Sequence, residues 1–79
     1  MKLCHVTGPL PIARGLPELK GISFVALRDR TGDTLAAADL LGVREGDQVL
    51  VTEGGAGAVL GTNHPADALV VGVVAGQAD

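Results

Sequence analysis

The fold of this chain is decided by DLLGVREGDQVLV at residues 39–51 and by PADALVVGVV at residues 65–74. In each stretch, a loop of glycine or proline with acidic residues leads into an apolar run of strand length. The second run is apolar at every position from Ala68 to Val74, whereas a half-buried strand alternates apolar and polar side chains. The sequence offers no helix long enough to cover the second face. The pattern therefore predicts that another copy of the chain covers it.

Length and composition indicate one small domain, residues 1–79, that gains from self-association. A chain of 79 residues buries only about 60% of its unfolded surface on folding. Hydrophobic residues make up 47% of it, with 12 glycines and one aromatic residue, Phe24. This composition excludes disorder and predicts a core of small aliphatic side chains. The net charge of -3 provides no basic surface for nucleic acid or anionic lipid.

The cysteine count and the hydropathy pattern favour a soluble, cytoplasmic protein that does not enter a membrane. Cys4, the one cysteine, has no intrachain disulfide partner. Thr7, Gly8 and Pro9 interrupt the N-terminal segment before an apolar stretch of signal-peptide length can form. The longest apolar run, residues 68–76, is about half of what a spanning helix needs.

The pattern along the chain predicts an all-β fold, a small, partly open, five-stranded OB-like β-barrel with short helical turns. Residues 14–20 form a polar loop, residues 30–33 a hairpin turn and residues 54–61 a glycine-rich connection. Asp39 could cap one helical turn through Leu41. In the second strand, Ile22, Phe24 and Ala26 share one face, and Ser23, Val25 and Leu27 share the other. The predicted strands are residues 2–7, which could resume at 10–13, then 21–29, 34–38, 48–53 and 68–75.

Residues that could carry chemistry do not form a constellation. The glycine-rich segment 54–61 resembles a dinucleotide loop only superficially, because Leu60 stands where the third glycine should. Cys4 and His5 are adjacent in a strand and therefore point to opposite faces, which argues against a shared metal ion. We expect Cys4 to be a small buried hydrophobe, and His64, followed by Pro65 and Asp67, to be a surface loop residue.

Three carboxylates lie near one another in sequence, Glu45, Asp47 and Glu53, and we expect them to be solvated loop and strand-end charges. No nucleophile or electrophile is placed beside them. The sequence thus predicts a protein that is not an enzyme, with no catalytic residues, cofactor or metal.

A set of short motifs, considered in order and spacing, resembles one known family. The motifs are Lys2-Leu3, Val6-Thr7-Gly8, Leu19-Lys20-Gly21, Ala38-Asp39, Gly42 with Gly46 before Val49-Leu50-Val51, and Pro65-Ala66-Asp67-Ala68 before Val71-Gly72-Val73-Val74. Together they resemble the EutN/CcmL family of bacterial microcompartment vertex proteins. The resemblance implies a β-barrel subunit whose homopentamers cap the vertices of a polyhedral shell around metabolic enzymes. It also implies hexameric shell proteins as partners and a place in the microcompartment shell.

The chain departs from the family pattern at two loops. Relatives tend to have Gly-Ala-Gly where this chain has Gly42-Val43-Arg44, and Asp47 stands where glutamate is more usual. After the fourth strand, relatives tend toward Gly-Ser-Ser/Ala-Ala-Arg, whereas Gly54-Gly55-Ala56-Gly57-Ala58 lacks the serines and the arginine. A contact made by that arginine in relatives is therefore not expected here.

Two other functional classes stay open at the level of sequence, namely an isolated OB-like module that binds a ligand or nucleic acid, and a small accessory subunit or enzyme with a glycine-loop ligand site. Arg44 is either a contact residue, with a planar donor fork for a partner's carboxylate, or a solvated loop charge. The candidate assembly or shell-contact residues are Gly42, Arg44, Gly46, Gly54, Gly55, Val71 and Val73.

Overall fold

Five strands and two short helical segments make up the described part of the computed structural model, which covers residues 1–54, 57–61 and 64–76. No helix in these ranges has the length and apolar character needed to cross a bilayer. The strands are β1 (Lys2–Pro9), β2 (Ser23–Asp29), β3 (Thr34–Asp39), β4 (Gln48–Glu53) and β5 (Ala68–Val73), and the helical segments are a 3₁₀ helix (Pro17–Leu19) and α1 (Gly57–Leu60).

The five strands close into a barrel in the order β1-β2-β3-β5-β4. The β3–β5 pair is parallel, and the other four pairs are antiparallel. Pairing of β4 with β1, for example Cys4 with Val49, closes the ring of strands. The all-β barrel prediction is confirmed, although the barrel is closed and not partly open. Every strand therefore has a neighbour on both sides, although β3 and β5 pair only at Ala38 with Leu69 and at Asp39 with Val70.

Alternation along each strand fills the inside of the barrel with small aliphatic side chains. In β4, Val49 and Val51 are buried while Leu50 between them is exposed. In β2, Val25 and Leu27 are buried, on the one face that the sequence predicts they share. Cys4 is one of the core residues, which confirms its interpretation as a small buried hydrophobe. The inner core consists of Cys4, Val6, Val25, Leu27, Ala37, Val49, Val51, Ala68 and Val70.

A second, smaller core lies on the outer face of the barrel wall. Ala38 and Leu69 are buried there and pair across the β3–β5 ladder. They pack against Ile22, just before β2, and Phe24 of β2, and against Leu60 and Ala66. The expectation that a single chain cannot cover both faces of the fifth strand is therefore wrong for its first half. Leu60 of α1 and Ala66 before β5 contribute to covering this part of the strand.

Two predicted local structures are wrong for identifiable reasons. Residues 10–13 are not a strand, because Pro9 and Pro11 have no N–H to donate to a ladder, and only the Leu10 N–H bonds onward, to the Phe24 carbonyl at 2.9 Å. No helical turn follows Asp39, which is the last residue of β3. Gly42 has φ +74°, which a right-handed helical turn does not accommodate.

The last predicted strand is shorter than expected and contains an irregularity. The predicted range 68–75 ends at Val73 in the structure. Val70 pairs with Val51, but Gly72 pairs with Leu50, so Val71 is an extra residue in β5. Such a bulge bends the strand and changes the direction of the side chains beyond it.

Candidate assembly surface

The second half of β5 carries the candidate residues Val71 and Val73, and both are exposed. Val71 is 41% exposed and Val73 is 49% exposed, and Leu50 on the neighbouring strand is 39% exposed. By contrast, Val70 is only 2% exposed. We call Leu50, Val71 and Val73 the β4–β5 patch. Leu50 pairs with Gly72, beside Val71, whereas Val73 pairs with the buried Val49 and is exposed at the end of β5. Exposed large apolar side chains that lie near one another are typical of surfaces that meet another protein.

A second apolar surface, which the sequence does not predict, lies between β1 and β2. The connection folds into a groove of about 510 Å³ bounded by residues from Pro9 to Phe24. Leu10, Ile12 and Leu16 are its exposed large apolar side chains. The sequence predicts a polar loop at residues 14–20 and therefore does not predict this groove. Only the spacing of Leu10, Ile12 and Leu16 indicates it. β2 pairs with neither β4 nor β5 and lies across the barrel from the β4–β5 patch.

The loop between β3 and β4 is held by one carboxylate. Asp39 is 5% exposed, and it accepts backbone hydrogen bonds from Leu41 at 2.9 Å, Gly42 at 3.2 Å and Val43 at 2.9 Å. The positive φ angles of Gly42 and Gly46, +74° and +94°, confirm the prediction that these positions need backbone freedom. This local requirement accounts for both glycines, so their role in assembly stays a prediction.

Arg44 lies at the exposed end of this loop, where its backbone is fixed and its side chain is exposed. Its N–H donates to the Asp47 carboxylate at 2.9 Å, and the Asp47 N–H donates back to its carbonyl at 3.0 Å. Asp47 is thus half-buried and structural, not the solvated charge expected from sequence. In the described part of the chain, the Arg44 guanidinium has no ion pair. The proposed contact role of Arg44 stays a prediction.

The glycine-rich connection after β4 is only partly described. Gly54 has φ +76° and donates its N–H to the Asp67 carbonyl at 2.7 Å. This hydrogen bond ties the end of β4 to the segment before β5. Gly55, the other candidate here, lies outside the described residues. As with Gly42, the local backbone explains Gly54 without reference to a partner.

His64 links two distant segments of the chain. The sequence predicts only that it is a surface loop residue. Its Nε2 lies 2.9 Å from the Glu18 carbonyl oxygen, and its Nδ1 accepts the Ala66 N–H at 3.0 Å. With Nε2 as the donor, one neutral imidazole satisfies both contacts. His64 therefore ties the segment before β5 to the 3₁₀ helix of the groove. Since 46 residues separate it from Glu18, no local sequence signal identifies the contact.

The residues considered for metal binding or catalysis do not converge. Cys4 is buried and its neighbour His5 is exposed, which confirms that they lie on opposite faces. Burial raises the pKa of the Cys4 thiol, so the reactive thiolate is disfavoured. Glu53, at the end of β4, pairs with the Lys2 Nζ at 3.4 Å. Among residues 1–54, 57–61 and 64–76, no three His, Cys, Asp or Glu side chains form a group that could hold a metal ion.

One family model matches nearly the whole chain. The family model described as "Ethanolamine utilisation protein EutN/carboxysome" matches residues 1–74. The chain belongs to the EutN/CcmL family. The predicted family resemblance is thus confirmed over nearly the whole chain, including both stretches from which the sequence analysis began.

Three of the similar solved structures illustrate how widely this fold is shared. The pentameric shell protein MSM0273 from the RMM microcompartment is 29% identical, with a TM-score of 0.86 over 100% of this chain and 95% of that one. CsoS4B from Halothiobacillus neapolitanus is 31% identical, with a TM-score of 0.82 over 94% and 99%. The GrpN pentameric microcompartment shell protein from Rhodospirillum rubrum is 26% identical, with a TM-score of 0.82 over 94% and 93%. No curated protein sequence matches the chain.

Proposed function

We propose that this EutN/CcmL-family chain forms a homopentamer that caps the vertices of a bacterial microcompartment shell. The observation that carries the proposal is the end-to-end similarity to a pentameric shell protein, at a TM-score of 0.86 over 100% of this chain. The match also covers 95% of that protein. The function is structural, and no catalytic step is assigned to it.

The distribution of apolar surface supports a ring. In a cyclic pentamer each subunit presents one surface to one neighbour and a different surface to the other. The apolar surfaces exposed by the described residues include the β4–β5 patch and the groove that begins at Pro9, and β2 lies across the barrel from the patch. We propose that Val71 and Val73 of one subunit are covered by a neighbouring subunit.

The physical role of the ring is to introduce curvature. A sheet of six-fold tiles is flat, and replacing one tile by a five-fold ring forces the sheet to bend and allows it to close. We propose hexameric shell proteins as the lateral partners and the cytoplasm of a bacterium as the setting. A closed shell then limits the escape of intermediates from the enzymes inside it.

The alternative of an isolated OB-like binding module is less well supported. Modules that bind single-stranded nucleic acid stack bases on aromatic side chains in a basic groove, whereas this chain has one aromatic residue and a net charge of -3. Phe24, that one aromatic residue, is packed into the outer core.

Co-expression with a hexameric shell protein tests the proposal. Electron microscopy should show closed polyhedral particles when this chain is present and open sheets or tubes when it is absent. Val73→Asp should behave like the absence of the chain, and Glu45→Gln, on an exposed loop side chain, should behave like the wild type. Closed particles that form equally well without the chain would contradict the vertex role.

A further inference from the structure

Three polar side chains stand side by side on the outer wall of the barrel. The register pairs His5 of β1 with Arg28 of β2 on one side and with Gln48 of β4 on the other. Their sequence neighbours Cys4, Leu27 and Val49 are buried in the core, so His5, Arg28 and Gln48 point outward. Directly paired residues on adjacent strands have Cβ atoms about 5 Å apart. Hydrogen-bonding groups from three strands therefore converge on a small area.

This row lies in a hollow. A concavity of about 210 Å³ is lined by His5, Arg28 and Gln48, together with Arg30, Asp29, Leu3 and Cys4. The volume is sufficient for a small ion with part of its hydration shell. Because the strands are paired in a closed barrel, the His5, Arg28 and Gln48 side chains start from fixed backbone positions. The donors are therefore partly organised before any ligand arrives.

The charge in the hollow is positive although the whole chain is acidic. Both ion pairs in the described residues belong to Lys2, with Asp29 at 3.5 Å and with Glu53 at 3.4 Å. Within residues 1–54, 57–61 and 64–76, the guanidinium groups of Arg28 and Arg30 thus have no carboxylate partner. An arginine pair without a counter-charge attracts anions and offers a fork of N–H donors to them.

Asp29, the one acidic residue of the hollow, is already engaged by its own turn. Its Oδ1 accepts the Thr31 hydroxyl at 2.6 Å, the Thr31 N–H at 2.9 Å and the Asp33 N–H at 3.0 Å. These bonds, the Thr31 hydroxyl first, lower the pKa of Asp29 below its ordinary value. The carboxylate is held toward the turn and Lys2, and this leaves Arg28 and Arg30 available to an external ligand.

We propose that His5, Arg28, Arg30 and Gln48 form a binding site for an oxyanion, either a phosphate group or a carboxylate. The arginines supply paired N–H donors and charge, and the Gln48 amide and the His5 ring supply further donors. This chemistry is distinct from the apolar β4–β5 patch. Because all four residues belong to one chain, the site does not depend on the ring proposed above.

Calorimetric titration of the purified protein with inorganic phosphate tests the site, with ionic strength held constant by chloride. We expect saturable binding of one phosphate per chain. Arg28→Ala should weaken it at least about tenfold, the effect of losing a charge-assisted hydrogen bond. Arg28→Lys should give a smaller loss, because it keeps the charge but not the planar fork. Arg14→Ala, an exposed arginine outside the hollow, is the matched control and should change nothing.

A second arm distinguishes a free oxyanion from a carboxylate of a neighbouring subunit. If the anion is free, phosphate binds to the wild type, and Arg28→Ala and Arg14→Ala leave the mass of the assembled protein unchanged on dilution. If a neighbour's carboxylate occupies the hollow, Arg28→Ala dissociates at about tenfold higher protein concentration than Arg14→Ala. Phosphate binding that is absent or insensitive to Arg28→Ala, together with equal dissociation of the two variants, would overturn the proposal. If the protein is a monomer that binds phosphate through Arg28, the oxyanion site is supported and the proposed pentamer is contradicted.

Discussion

The two halves of β5 are almost equally apolar in sequence but differ in what covers them. Ala68, Leu69 and Val70 are buried within the chain, the first and third in the barrel and Leu69 in the outer core. Val71 and Val73 follow directly and are exposed. The bulge at Val71 separates the two halves. One half of this apolar run therefore stabilises the subunit, and we propose that the other half contacts a partner.

The same division is visible in the loop between β3 and β4. The Asp39 carboxylate is buried and accepts three backbone hydrogen bonds, whereas the Arg44 side chain is exposed. One charge organises the loop, and the other is presented at its surface. The comparison predicts that substitutions divide into those that unfold the subunit and those that separate subunits.

The largest effect is expected for Val70→Asp. It places a carboxylate in the dry barrel interior, where burial without a partner costs several kcal/mol, a large share of the stability of a domain this small. Circular dichroism should show an unfolded chain at neutral pH. A folded Val70→Asp variant would contradict the claim that the first half of β5 is buried within the subunit.

Leu69→Ala should lower the free energy of unfolding by about 3 kcal/mol, because it leaves a cavity between Ala38 and the side chains that cover it. Val71→Ala is the matched control and should cost less than about 1 kcal/mol in the isolated subunit. Urea unfolding at a protein concentration low enough to keep subunits apart measures both values. Equal losses for the two variants would mean that the chain does not bury Leu69 from outside.

Asp39→Ala should cost about 2 kcal/mol of unfolding free energy, since three loop N–H groups lose a charged acceptor. Glu45→Ala in the same loop removes an exposed carboxylate and should be close to neutral. Thermal melts of the two variants make the comparison. If Asp39→Ala melts like Glu45→Ala, the loop is not held by this carboxylate.

The smallest effect on the subunit is expected for Arg44→Ala. An exposed charge without a partner contributes less than about 0.5 kcal/mol to stability, so the melting temperature should be unchanged. If Arg44 contacts a neighbouring subunit or tile, ring formation or shell closure should weaken in the co-expression assay. Unchanged melting, ring mass and shell closure would identify Arg44 as a surface charge only.

The barrel itself could be predicted from sequence because its strands carry local signals. β4 has the predicted bounds, Gln48–Glu53, since a glycine loop precedes it and Val49 and Val51 alternate with other residues. β3 extends one residue beyond the prediction, to Asp39. The family resemblance rests on motifs from both loops and strands. Because these motifs all match the same family, together they indicate the fold more firmly than any single strand does.

Features built from contacts between distant residues could not be predicted in this way. α1 has four residues in a glycine-rich stretch, too few to show a helical period. The outer core brings Leu60 and Ala66 onto Leu69 through tertiary packing, so the sequence suggested that a partner must cover that residue. The contact of His64 with Glu18 is equally non-local. The hollow that we propose as an oxyanion site depends on strand register, because Arg28 lies beside His5 only once β1 and β2 have paired.

Native mass spectrometry of the wild type and of Val73→Asp tests whether the exposed half of β5 is an interface between subunits. We expect five copies for the wild type, about 40 kDa from a chain of 7.9 kDa, because a neighbour covers this half of the strand in the proposed ring. For Val73→Asp we expect a folded monomer with the circular dichroism spectrum of the wild type. A wild-type protein found only as a monomer, dimer or hexamer, or a Val73→Asp variant that still forms native pentamers, would contradict the proposed interface.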